Sequence, residues 1–320
     1  MATALIAGIT GQDGSYLAEL LVSKGYEVWG IVRRGKDLSG SHLEPVLAEI
    51  HLVNGDLSDQ ESLDRALRES RPDEVYNLAA QPDVALSWQQ PVLTGEVDAM
   101  GAIRLLEAVR RHRKDARLFQ ASSAEIFDRA APAPQNEQTP FRPHSPYGAA
   151  KLHAYWATVM YRESHRLFCG NGILFNHESP RRRIDYVTRK VSDGAARIAA
   201  GQATSLRLGN LDAVRDWGFA GDYVEAMRLM LAQEEADDYV IATGEAHSVR
   251  EFVELAFHEA GLDWKDHVVI DEDLLRPADP RVLIGDSRKA WERLGWKPRV
   301  SFSELVRLMV RADLGRYGVG

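Results

Sequence analysis

The stretch Thr3–Leu21, TALIAGITGQDGSYLAELL, decides the fold. Its first residues are short and mostly apolar, the pattern of a strand covered on both faces. From Ser15 the apolar residues fall at helical spacing, and Gly25 stops the helix. Between strand and helix stand Gly8, Gly11 and Gly14. Small residues there let the turn approach a pyrophosphate, and the free N–H groups of the helix start meet its negative charge. A glycine triplet alone is a weak signal; a strand before it and a helix after it make it a dinucleotide-binding turn.

Outward from this turn, strands alternate with helices. YEVWGIVRR (26–34), IHLVNGDL (50–57), DEVYNLAAQ (73–81), ARLFQASS (116–123) and GNGILFN (170–176) read as strands. SDQESLDRALRES (58–70), with Ser58 as its expected cap, and EVDAMGAIRLLEAVRRHR (96–113) read as helices. Such alternation predicts an α/β fold: a Rossmann-type, doubly wound parallel sheet with right-handed crossovers. From about Asn176 shorter arginine- and glycine-rich segments follow. DWGFAGDYVEAMRLMLAQ (216–233), SVREFVELAFHEAG (248–261) and SFSELVRLMVRADL (301–314) read as helices of a smaller C-terminal region. The expected division is 1–175 for the dinucleotide domain, with later segments returning to it, and 176–320 mainly for substrate, with the ligand cleft between them. Ala131–Pro146 holds five prolines and reads as a loop.

The 320 residues carry 39 basic and 47 acidic side chains, a net charge of −8. That surface disfavours nucleic acid and anionic membranes. No apolar run is long enough to span a bilayer and no signal peptide pattern opens the chain, so the expected location is cytoplasmic. The single cysteine, Cys169, lies in or beside an apolar strand and reads as core. The ten histidines show no familiar metal-ligand spacing, and no metal is expected.

Chemistry-bearing residues cluster at the ends of the expected strands. Arg33 and Arg34 close the second strand with no acid beside them. An NAD site usually offers a carboxylate to the adenosine ribose, whereas arginines suit the 2′-phosphate of NADP. Asp56, after the third strand, suits either the adenine or a turn cap. In SPYGAAK (145–151), Tyr147 and Lys151 share one helix face. The ammonium is expected to lower the phenol's pKa, so that Tyr147 can take a proton from a substrate hydroxyl as hydride leaves the same carbon. An isolated pair at this spacing is usually plain helix surface; the glycine turn upstream favours the catalytic reading. QASSAEIF (120–127) puts Ser122, Ser123 and Glu125 at the carboxyl end of a strand, where ligands bind in open parallel sheets. Alcohol oxidation alone needs no carboxylate there; a second proton transfer does.

With these residues in place the chain resembles the extended short-chain dehydrogenase/reductase family, and within it the nucleotide-sugar 4,6-dehydratases. The resemblance rests on GITGQDGSYLAELL, YEVWGIVRR, SPYGAAKLHAYW, NGILFNHESPRR, VTRK, LGNLDAVRDWG, DYVEAM, YVIATGEAHSVREFVE and LGWKPRVSFSELVRLMV. YGAAK marks only the superfamily; FNHESPRR with GNLDAVRDWG is far more specific. The implied reaction converts GDP-mannose to its 4-keto-6-deoxy form by C4 oxidation, loss of water across C5 and C6, and hydride return to C6. The resemblance implies Ser123, Glu125, Tyr147 and Lys151 as catalytic residues. It implies NADP contacts from Gly8, Thr10, Gly11, Gln12, Asp13 and Gly14, then Arg33, Asp56, Leu57 and Leu78, and finally Tyr147, Lys151, His177 and Arg182. For the nucleotide sugar it implies Ser87, Glu125, Asn176, Val187 and Lys190, with Leu206, Gly209, Arg215, Arg276 and Asp279. A homodimer through a four-helix bundle, and a tetramer beyond it, is the implied assembly.

The chain departs from that family's pattern at Pro82 and Asp83, at Phe127 and Asp128, and at Pro280 and Arg281, and its loop after Arg34 lacks the usual serines. An acid at position 83 beside a phosphate would be repulsive.

Overall fold

The computed structural model describes residues 1–128, 130–274 and 283–319. In chain order the main elements are β1 (Thr3–Ala7), α1 (Gln12–Ser23), β2 (Glu27–Val32), β3 (Ile50–Asn54), α2 (Gln60–Ser70), β4 (Glu74–Asn77), α3 (Val84–Gln89) and α4 (Pro91–Thr94). A π-helical turn, Gly95–Met100, leads into α5 (Gly101–His112). Then come β5 (Arg117–Ser123), α6 (Pro146–His165), β6 (Cys169–Leu174), β7 (Asn176–Glu178), α7 (Val187–Ala199), β8 (Leu206–Leu208), β9 (Val214–Arg215) and β10 (Trp217–Phe219). The chain continues through α8 (Ala220–Leu231), β11 (Tyr239–Ile241), β12 (His247–Ser248), α9 (Val249–Glu259), β13 (Val268–Ile270), α10 (Arg288–Leu294) and α11 (Phe302–Arg316).

Seven parallel strands form the main sheet in the order β11-β6-β5-β4-β1-β2-β3. Sequence order reverses between β1 and β4, which opens a crevice at their carboxyl ends. Both faces of the sheet are covered, so the strands read as unbroken apolar runs. Leu17, Leu21, Met227, Met230 and Leu294 from α1, α8 and α10 pack one face. Leu63, Leu67, Leu105, Val109 and Ala157 from α2, α5 and α6 pack the other. A separate core under the C-terminal region joins α7, α9 and α11 around Trp217, Phe252 and Met309.

Local chemistry explains the corrections to the expected elements. Helix α2 is capped by Asp59, whose carboxylate accepts from Glu61 N (3.1 Å) and Ser62 N (3.4 Å). Ser58 instead closes an Asx turn, donating its backbone N–H and its hydroxyl to Asp56 Oδ1 at 2.8 and 2.6 Å. The helix expected from Asp216 begins only at Ala220, because Trp217–Phe219 pairs with Asn176–Glu178 as β10 against β7. The helix expected from Glu96 is already helical at Pro91 and passes through the π turn. The five-proline segment is a loop that ends where Ser145 caps α6, accepting from Gly148 N at 3.0 Å.

Candidate active site

The site is built on the carboxyl ends of β1, β2, β4, β5 and β6. Gly8 ends β1 at φ +86°, a conformation that favours glycine, and a Cβ there would lie 2.7 Å from Ala79 N. A Cβ at Gly14 would run into the Gly8 carbonyl and Ile9. Gly11 is the N-cap of α1 and offers no side-chain cap, so first-turn N–H groups of that helix face the cleft. A glycine-lined cradle with uncapped helix N–H groups fits a pyrophosphate. The cleft has a volume of about 640 Å³. It is lined by Gly8, Thr10, Gly11, Gln12, Asp13 and Gly14 from the turn, by Arg33, Asp56, Leu57 and Leu78 from the strand ends, and by Arg182.

Three cations crowd the end of β2: Arg33, Arg34 and Lys36. Lys36 is absent from the residues expected to hold the cofactor, yet its Nζ donates to Thr10 Oγ1 at 2.6 Å, across the glycine turn. Partial burial and the Arg33 charge hold its pKa below the usual lysine value. Such a crowded ammonium gains from a neighbouring anion. The RRGK run was the available signal. Asp56 both closes the Asx turn and lines the cleft; burial opposes its ionisation, but the Ser58 bonds and the Arg33 charge hold its pKa down.

His177 reaches this cleft through Asp13. Its Nε2 lies 2.9 Å from Asp13 Oδ2 and its Nδ1 2.7 Å from the Phe175 carbonyl, and its ring stacks on Tyr223 at 4.6 Å. Acceptors face both ring nitrogens, an arrangement that favours the doubly protonated imidazolium. Burial pulls the His177 pKa down, but the Asp13 charge and hydrogen bond leave it raised. Burial likewise opposes Asp13's charge, yet His177 holds its carboxyl below the ordinary range. Next in the chain, Arg181 locks onto α1 through Glu19 Oε1 (2.6 Å) and Ser15 Oγ (3.0 Å), while Arg182 stacks over Tyr186 at 3.7 Å. Tyr186 donates to the Pro82 carbonyl at 3.0 Å and so ties the two walls of the cleft together.

At the inner end, Tyr147 is hydrogen-bonded to the Ser123 side chain. Lys151 Nζ lies 5.7 Å from the Tyr147 ring centroid and donates to Ala121 O at 3.0 Å. Both are buried. The expected lowering of the phenol's pKa is not what the site shows: burial raises it well above the ordinary tyrosine value, and the Asp98 charge raises it further against the Ser123 bond. Burial also pulls Lys151 down, opposed by Asp98 and Asp13. Asp98 itself, in the π turn, is pushed up to about 6 by burial, against the Lys151 charge.

Glu125 sits on a short turn, Ala124–Ile126, capped by Ser123, whose Oγ accepts from Glu125 N at 3.2 Å. The start of α6 presses on this turn: a Cβ on Gly148 would come within 2.6 Å of the Glu125 carbonyl. Ser123, Glu125, Tyr147 and Lys151 are therefore brought together, and Glu125's charge acts on Tyr147.

The expected substrate residues are more scattered. Ser87 is buried in α3, with its hydroxyl donating to Val84 O at 2.6 Å. Asn176 starts β7, and Val187 and Lys190 stand on the first turn of α7 with Lys190 exposed. Leu206 opens β8, and Gly209 follows it so closely under Leu274 that a Cβ would lie 2.6 Å from the Leu274 carbonyl. Arg215, in β9, donates to Val214 O at 2.7 Å and pairs in register with His247. Arg276 and Asp279, like Pro280 and Arg281, lie outside the described residues.

Three of the departures, Asp83, Phe127 and Asp128, have local roles. Asp83 caps α3, accepting from Ala85 N (2.8 Å) and Leu86 N (3.0 Å), so its charge is engaged at a helix start. Phe127 is buried against Phe141 and Phe175, with centroids 5.6 and 6.1 Å away. Asp128 accepts from Ala130 N at 2.8 Å in the following turn.

Sheet order, glycine turn and Tyr–Lys pair define the class: an extended short-chain dehydrogenase/reductase. More narrowly, the chain belongs to the GDP-mannose 4,6 dehydratase family, which matches residues 5–309. It is 54% identical over 323 residues to GDP-mannose 4,6 dehydratase 1 of Arabidopsis thaliana, covering 97% of this chain and 89% of that protein. It is 49% identical over 338 residues to the Homo sapiens GDP-mannose 4,6 dehydratase, covering 97% and 91%. Among solved structures, the UDP-glucose 4-epimerase of Thermus thermophilus, in complex with NAD, superposes with a TM-score of 0.85 at 31% identity, covering 98% of this chain and 99% of that one.

Proposed function

We propose that this chain converts GDP-mannose to GDP-4-keto-6-deoxymannose and water, with NADP bound in the cleft. The observation that carries the reading is the gathering of Glu125 with Tyr147, Lys151 and Ser123 in a chain of this family. When bound, NADP would supply a hydride acceptor for C4 and a hydride donor for C6. Tyr147 takes the proton of the sugar 4-hydroxyl, with Ser123 sharing the reacting oxygen and Lys151 favouring the phenolate. The new ketone acidifies C5–H, and Glu125 removes that proton. The same acid protonates the C6 hydroxyl, which leaves as water. Tyr147 returns its proton to C5. Electrons balance, because the hydride lost at C4 is regained at C6.

NADP is favoured over NAD by Arg33, Arg34 and Lys36, which offer charge-assisted hydrogen bonds to a 2′-phosphate. Arg215 and Lys190, with Arg276, would face the diphosphate. A homodimer through α5 and α6 is supported by exposed apolar side chains on and beside those helices: Met100, Trp156 and Met160, with Trp88, Val92 and Leu93. Among the described residues no helix is long and apolar enough to cross a membrane, and the cytoplasm is the proposed location.

The likeness to a 4-epimerase leaves a second reading, C4 inversion through the same Tyr–Lys pair. Mass spectrometry separates the two. Incubation with GDP-, dTDP-, UDP- and CDP-hexoses should give a product lighter by one water from GDP-mannose. A product of unchanged mass would replace dehydration with epimerisation.

A further inference from the structure

Phe127 and Asp128, two of the departures from the family pattern, stand directly behind Glu125, and the reaction as described gives them no part. Glu125 sits on the turn Ala124–Ile126, which is too short to hold its place by helical hydrogen bonds alone. Its front is fixed by the Ser123 hydroxyl, and one backbone bond closes it, from Phe127 N to Ala124 O at 3.1 Å. Its back is fixed by the segment that leads into α6. Phe127 and Phe141 face each other across an antiparallel bridge. Asp128 N donates to Pro140 O and Arg142 N to Ile126 O, both at 2.9 Å. Side chains extend this pairing in two directions. The Phe127 ring, 1% exposed, packs on Phe141, and Phe141 meets Tyr155 edge-on at 4.9 Å, about two turns along α6 from Tyr147. The Asp128 carboxylate turns the chain away from the bridge: its Oδ1 accepts from Ala130 N at 2.8 Å, while the Asp128 carbonyl accepts from Ala131 N at 2.9 Å. His144, beside the Ser145 cap of α6, places its Nε2 3.9 Å from the same carboxylate oxygen.

We propose that Phe127 and Asp128 are positioning residues for Glu125: they clamp its turn to the segment that opens the Tyr147 helix, and so serve the loss of water rather than the oxidation at C4. The proposal rests on the dehydratase reading of the same site. Tyr147 has support of its own, from a 20-residue helix capped by Ser145 and from the Ser123 hydroxyl. Glu125 takes its placement relative to that helix from the bridge. The ring of Phe127 anchors the bridge in the core, and the turn closed by Asp128 stiffens its open end. A reacting group displaced by about 1 Å can lose on the order of a hundredfold in rate. Loosening the clamp leaves the phenol in place and lets the carboxylate drift from C5.

The test is rapid mixing of the NADP-loaded protein with GDP-mannose, for wild type, Asp128→Ala, Asp128→Asn and Phe127→Leu, with melting temperatures measured in parallel. Oxidation at C4 is read as the rise of reduced-nicotinamide absorbance, and loss of water by mass in quenched samples. Asp128→Ala removes the acceptor for Ala130 N, and Phe127→Leu removes the aromatic ring. Both should oxidise C4 at the wild-type rate and lose water about threefold or more slowly. Asp128→Asn retains the acceptor and should match wild type in both steps. Equal slowing of the two steps in Asp128→Ala, or water loss at the wild-type rate, overturns the proposal, since a purely structural role lowers the whole reaction together. Asp128→Ala leaves the apolar core intact and so decides the matter even where Phe127→Leu melts early. A wild type that releases no water overturns the dehydratase reading and the clamp with it. A wild type that does, with the balance of the two steps unchanged in Asp128→Ala, overturns the clamp alone.

Discussion

Replacing His177 by phenylalanine should loosen the glycine turn and weaken cofactor binding together. The phenyl ring keeps the stack on Tyr223 but removes both nitrogens, and with them the 2.9 Å contact to Asp13 and the 2.7 Å contact to Phe175 O. The Asp13 side chain is 22% exposed and that of His177 10%, so the pair lies between surface and interior. Exposed pairs contribute at most about 1 kcal/mol, and breaking a wholly buried one costs about 3–5 kcal/mol. A loss of about 2–3 kcal/mol is expected here, and in a chain of this size that is a fall of roughly 3–5 °C in melting temperature. The pH dependence carries the sharper test. The Asp13 pKa is lowered from 3.8, so its contribution is present above that value and is lost as pH falls through the folded one. The His177 pKa is raised from 6.5, so its contribution is complete below 6.5 and fades as pH climbs through the folded value. The stability gap between wild type and His177→Phe should be widest between these two limits and shrink at alkaline pH. Thermal melts across pH, with NADPH titrations beside them, measure this. A gap that does not vary with pH would refute the imidazolium assignment.

Two further changes probe the cleft. Gly8→Ala places a Cβ 2.7 Å from Ala79 N at a backbone φ of +86°. Strain and overpacking together should cost about 2–5 kcal/mol and abolish measurable NADPH binding, as read by chemical denaturation and calorimetry. Lys36→Ala should weaken NADPH about tenfold or more while leaving NADH affinity nearly unchanged, since one charge-assisted hydrogen bond contributes about 1.5–3 kcal/mol; equal losses for both cofactors would place Lys36 on the pyrophosphate instead.

The strands of the sheet were legible because each is an apolar run bounded by turn residues, and the parallel order followed from the helices between them. β11 was not read as a strand: Tyr239–Ile241 spans three residues, too few for a periodic signal, and its pairing with β6 is a long-range fact. The π turn was invisible for a related reason, since the apolar spacing of 96–113 fits an ordinary helix and only tertiary packing reveals the extra residue. Asp83 stood out in the sequence as an acid that would be repulsive beside a phosphate; the sequence shows its type but not that two helix N–H groups occupy its carboxylate. Tyr147 and Lys151 were found by spacing. Their acidity was not, because spacing reports a neighbouring ammonium but not the burial that outweighs it.

The account depends on Tyr147 and Glu125 acting on adjacent carbons of one sugar. Turnover of GDP-mannose in deuterium oxide tests this most directly, with wild type and Glu125→Gln side by side. Wild type should give a dehydrated product with deuterium at C5, and Glu125→Gln should lose water about 10²–10⁴ times more slowly. Full turnover by the variant, or a wild-type product with no deuterium at C5, would contradict it.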